Sequence, residues 1–74
     1  MGWYIEYYDR RERREYQSRT VDTREQAIDS ACNLMGQADY EVRRIVGPDG
    51  EVVGLAEITA RFTEWRARRG TGAG

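Results

Sequence analysis

Histidine and lysine are absent from this 74-residue chain, and cysteine and proline occur once each. Without histidine the commonest general base is missing, and so is the usual partner of serine and cysteine nucleophiles. A single cysteine, Cys32, forbids an internal disulfide, and with no histidine there is no cluster of soft metal ligands. No run approaches the ~18 apolar residues of a membrane span, and the N-terminus lacks the basic-then-apolar order of a secretion signal. The expectation is a cytoplasmic, non-catalytic protein with no cofactor, no metal and no membrane association. All twelve basic residues are arginine, a bias that GC-rich coding produces and that says little about mechanism.

What is present bounds the fold. The length makes one domain, expected over 1–69, while "GTGAG" (70–74) has no side chain to anchor it and is expected to fray as a disordered tail. Apolar residues are 39% of the chain and charged ones 34%, too apolar for a disordered protein and polar for a domain. A partner surface or self-association is therefore the remaining route to extra stability. The net charge of −1 is unevenly placed. Residues 1–21 carry five Arg against four acids, 22–56 three against seven, and 57–74 four against two. A general nucleic-acid binder is usually much more basic.

"WYIEYY" (3–8) favours a strand, with Trp3, Ile5 and Tyr7 toward the core and Tyr4, Glu6 and Tyr8 on the other face. "EYQSRTV" (15–21) reads as a second strand; burying Val21 by strict alternation would also bury Gln17 and Arg19, so a bulge or twist is expected there. The linking "DRRERRE" has no Gly, Asn or Pro for a tight primed turn, which predicts a longer connection. In "DTREQAIDSACNLMG", Thr23 and Gln26 stand at capping-box spacing, and Ala27, Ile28, Ala31, Cys32, Leu34 and Met35 recur at helical spacing up to Gly36. "YEVRRIV" (40–46), the turn "GPDG" (47–50) and "EVV" (51–53) form a second hairpin. Leu55, Ile58, Phe62 and Trp65 suit a C-terminal helix, with Glu57–Arg61 and Glu64–Arg68 as i, i+4 pairs. The rival reading extends the fourth strand through Ile58. The fold class is α+β: a small antiparallel sheet of two hairpins in β-β-α-β-β order, helices on one face, ending in a helix.

Candidate chemistry is sparse. Cys32 lies on the apolar stripe of the first helix, where a free cysteine acts as a small hydrophobe. Asp39 with Glu41, and Asp49 with Glu51, sit where solvated carboxylates are ordinary. "GPDG" leads into a strand rather than a helix, so it is not a phosphate loop. The tract "YYDRRERREYQSR" (7–19) offers Arg10, Arg11, Arg13, Arg14 and Arg19 to phosphates and Tyr7, Tyr8 and Tyr16 to unpaired bases. Asp9, Glu12 and Glu15 are interleaved with them, which favours a solvated hairpin tip over a phosphate grip. Tyrosine with arginine is also the composition of protein–protein interfaces. Tyr4, Glu6 and Tyr8, with Arg10, Arg11, Arg13, Arg14 and Tyr16, are the expected partner-binding residues.

The order "WYIEYY", polar hairpin, "DTREQAIDSA", third strand, "PDGEVV" resembles small bacterial domains of unknown function with a two-hairpin, one-helix plan. Thr23, Ala27 and Ile28 match their helix start, and Asp49 with Gly50 their turn. It also looks similar to small phage-encoded anti-CRISPR proteins over about residues 3–53. That resemblance implies a non-enzymatic inhibitor that sits on a CRISPR surveillance complex and blocks target-DNA access. The leading expectation is thus a protein partner. Nucleic-acid binding by the 7–19 hairpin, and a structural homodimer pairing through a sheet edge, are the alternatives.

Overall fold

The computed structural model describes the backbone of residues 2–73 and the side chains of residues 2–68. Strands β1 (Tyr4–Asp9), β2 (Arg14–Gln17), β3 (Tyr40–Val46) and β4 (Val52–Val53) form one antiparallel sheet in the order β2-β1-β3-β4. Helices α1 (Arg24–Met35) and α2 (Leu55–Ala73) cover one face of it. The α+β architecture is the expected one, and the segment after β4 is helix rather than continued strand. The tail expected over 70–74 falls beyond the described side chains.

Alternation along β1 points Ile5 inward and places Tyr7 at the margin of the core. Trp3 joins them through a lone bridge to Val21, with N–H···O bonds of 2.9 and 2.8 Å. β2 ends at Gln17, earlier than expected. Ser18 still pairs with Ile5, giving its N–H to the Ile5 carbonyl and accepting the Ile5 N–H on Oγ, both at 2.9 Å. Trp3–Val21 is therefore one residue out of step with Ile5–Ser18, and this extra residue keeps Arg19 exposed while half-burying Val21. The first connection is the longer one expected. Asp9 Oδ1 accepts the N–H groups of Arg11 and Glu12, and Arg13 takes a left-handed φ of 57° to re-enter β2.

α1 begins on a complete capping box. Thr23 Oγ1 accepts the Gln26 N–H at 3.1 Å, and Gln26 Oε1 accepts the Thr23 N–H at 3.2 Å. Its inner face buries Ala27, Ile28, Ala31 and Cys32 against Ile5, Val42, Ile45, Val53 and Ile58. Truncating Ile28, Ile45 or Ile58 to Ala would cost about 2–5 kcal/mol. Burial pushes the Cys32 thiol above its ordinary value, which suits a packing role. Gly36 ends the helix without entering the left-handed region, its N–H bonding the Cys32 carbonyl at 3.1 Å.

Three expectations for α2 change. Leu55 is 47% exposed, so the buried stripe starts at Ile58 and continues through half-buried Phe62 and Trp65. The expected pair within the helix, Glu57–Arg61, is replaced by bonds to α1: Arg24 to Glu57 at 2.5 Å, and Arg61 to both Glu25 oxygens at 2.5 and 3.3 Å. No Glu64–Arg68 ion pair occurs among the described residues.

A Cβ on Gly47 would lie 2.5 Å from the Trp3 ring, so Gly47→Ala should destabilise by about 1–3 kcal/mol in denaturant unfolding. Unchanged stability would mean that Trp3 is not seated against Gly47. The hydrogen bond from Arg61 holds the Glu25 carboxyl below its ordinary value of 4.5. A lowered folded pKa adds stability that is complete above about pH 4.5 and is lost as pH falls through the folded value. The stability gap between wild type and Glu25→Gln should therefore be level at neutral pH and close in acid. A gap that widens in acid would reverse the assignment.

Candidate interaction surface

β1 lies inside the sheet, and its second set of side chains, Tyr4, Glu6 and Tyr8, faces away from the helices. No element of the described chain covers that face. Glu6 is ion-paired with Arg44 on β3. Over Tyr8 lies the Arg43 guanidinium, 5.3 Å from the ring centroid, within cation–π range. The same guanidinium forks to Glu41 at 3.0 Å and to Glu15 on β2 at 3.2 Å. The bond to Glu15 raises the Arg43 pKa further above its usual value, and the guanidinium, like any arginine's, stays charged. One side chain thus ties β2, β1 and β3 together across the open face.

Arg43 reaches this position because of a β-bulge. Ile5 pairs with Ile45, Glu6 with Arg44 and Tyr7 with Val42, which leaves Arg43 without a partner on β1. In a regular strand two adjacent residues face opposite ways, and one of the two arginines would enter the core. The extra residue lets Val42 and Ile45 both be buried while Arg43 and Arg44 are both exposed. Without Arg43 the order Val42, Arg44, Ile45 would alternate in, out, in, and the pairing with β1 would be unbroken. The core pattern does not require the inserted residue.

The residues expected to bind a partner are divided between two faces and the hairpin tip. Tyr4, Glu6 and Tyr8 share the outer face. Tyr16 pairs with Tyr7 and so faces the helix side, where the two rings stack with centroids 6.0 Å apart and Tyr40 meets Tyr7 edge-on at 5.5 Å. The Tyr16 hydroxyl bonds to Glu12, which raises its pKa. Arg14 lies over the Tyr16 ring at 5.8 Å. Arg10 donates to the Ala38 carbonyl at 3.0 Å and lies 3.5 Å from Glu41, while Arg11 lies 3.8 Å from Asp39. Opposite charges therefore pair toward β3 rather than across the hairpin. Among the described residues Arg13, Arg14 and Arg19 make no ion pair.

Arg43, Arg44, Glu15 and Glu41 belong to the outer surface and were not anticipated from the sequence. The available signal was the spacing of Val42 and Ile45, three apart in a segment with strand propensity.

Comparison with known proteins gives no matching family model, curated protein or solved structure. Among the described residues no helix is long and apolar enough to cross a membrane, and no group of acids and cysteine is placed to hold a metal ion.

Ion pairs on an exposed face contribute little to stability, and a cation–π contact there about 0.5–1 kcal/mol. Arg43→Ala should therefore lower the unfolding free energy by no more than about 1 kcal/mol, measured by urea titration. A loss of several kcal/mol would make Arg43 a structural clamp instead.

Proposed function

We propose that this is a non-catalytic binding protein of the cytoplasm, which docks a folded protein partner on its outer sheet face. The observation that carries the reading is Arg43, an inserted residue held over Tyr8 by two carboxylates. Tyrosine and arginine dominate interface hot spots, and a side chain already held in place loses less entropy on docking. Arg43 and Arg44 are balanced on this face by Glu6, Glu15 and Glu41. Such a mixed field suits a protein surface of alternating charge better than a row of phosphates. The pairing of Arg10 and Arg11 with acids weakens the hairpin as a phosphate grip in the same way. The narrower form, an inhibitor seated on a CRISPR surveillance complex, rests on the sequence resemblance alone.

The test is an affinity capture from the native host's lysate, with and without nuclease, run beside two variants. The partner should survive nuclease and the fourfold change of Arg10, Arg11, Arg13 and Arg14 to Ala. It should be weakened about thirtyfold or more by Tyr4→Ala with Tyr8→Ala, the loss of a hot spot of ~2 kcal/mol. Capture that disappears with nuclease or with the arginines, and not with the tyrosines, would move the activity to the hairpin and to nucleic acid.

A further inference from the structure

The opposite side of the sheet carries a second feature that the outer face does not use. β2 is an edge strand, paired with β1 on one side only. Ser18 donates its N–H to Ile5, which makes Ile5–Ser18, Tyr7–Tyr16 and Asp9–Arg14 the hydrogen-bonded pairs of this ladder. The intervening residues, Glu15 and Gln17, consequently turn their backbone N–H and C=O groups to the open side. Beside this edge an open groove of ≈ 500 Å³ runs between α1 and residues 18–21, lined by Tyr7, Arg19, Val21, Asn33 and Leu34 among others. Tyr16 stacks on Tyr7 and carries Arg14 over its ring, so aromatic surface and cation continue from the groove along β2.

The charges on this side are not balanced. Neither Arg14 nor Arg19 has an ion-pair partner among the described residues. The acids of the hairpin are engaged elsewhere: Asp9 holds the hairpin amides, Glu12 holds the Tyr16 hydroxyl, and Glu15 reaches Arg43 on the other face.

We infer that the open edge of β2 and the adjoining groove form a second docking site, for an extended peptide with carboxylates at alternate positions. The peptide adds as a fifth strand. Its backbone bonds to Glu15 and Gln17, and every second side chain points to the helix side, where Arg14 and Arg19 await acids and Tyr7 and Tyr16 offer apolar surface. A second copy of this chain fits poorly, because the only acid of β2, Glu15, points away from the groove and supplies nothing to Arg14. A nucleic acid would meet the arginines but lacks the regular alternation of donors and acceptors that the Glu15 and Gln17 backbone presents.

The experiment is a ¹H–¹⁵N titration with a terminally blocked eight-residue peptide of alternating glutamate and threonine. Saturable shifts are expected at Glu15, Gln17 and Arg19. The dissociation constant should rise at least tenfold in Arg14→Ala with Arg19→Ala, and in a peptide N-methylated at alternate residues. A lysine–threonine peptide should not bind, and Tyr8→Ala should bind as wild type does, separating this site from the outer face. Any of three results would overturn the proposal: no saturable shift at millimolar peptide, equal affinity in the arginine variant, or tighter binding of an oligothymidine of equal length. A mass that doubles with concentration while the β2 amides become protected would assign the edge to a second copy and overturn it as well.

Discussion

The β-bulge in β3 decides which side chains of the central strands meet the helices and which meet water. Two strands in the middle of a small sheet must bury one face against the helices, and β1 does so with plain alternation. β3 carries two adjacent arginines between Val42 and Ile45. Regular alternation would send one of those charges under α1, where nothing would solvate it. The bulge resolves the conflict by stepping over one residue, so that both apolar residues reach the core and both arginines reach water. The consequence is a dense Arg–Tyr–Glu layer on the far side of the sheet.

The helical layer solves a different problem, that of stability in a short chain. Its buried side chains are few and mostly aliphatic, and Ala27 and Ala31 are fully buried on α1. Trp3 extends the core to the end of the sheet by lying against Gly47, and the Val21 bridge holds the N-terminus there. The Arg24–Glu57 and Arg61–Glu25 pairs fix how α2 lies along α1, and as exposed pairs they guide orientation more than they stabilise.

Much of this was legible in the sequence where local chemistry decides the outcome. α1 declares itself through Thr23 and Gln26, and the second hairpin through Pro48, Asp49 and Gly50, with φ of 60° at Asp49 and 79° at Gly50. The outward direction of Tyr4, Glu6 and Tyr8 follows from alternation alone. What could not be read depends on contacts between distant segments. Strand propensity scores "YEVRRIV" as a single run and does not mark the extra residue, so Arg43 over Tyr8 was invisible. Glu57 and Arg61 stand at the right spacing to pair within α2, but a neighbouring helix offers each another partner. β2 alone gives no register for Tyr16, and only its pairing with Tyr7 puts it on the helix side, apart from Tyr4 and Tyr8.

The inward pattern of Val42 and Ile45 does not depend on Arg43, and the most direct test is the unfolding free energy of the protein lacking Arg43. Deletion restores unbroken pairing of β3 with β1 and keeps Val42 and Ile45 inward, so stability should stay within about 1 kcal/mol of wild type, with the same far-ultraviolet circular dichroism. A loss of about 3 kcal/mol or more, or a molten chain, would show that the bulge is required by the core itself and would contradict the account.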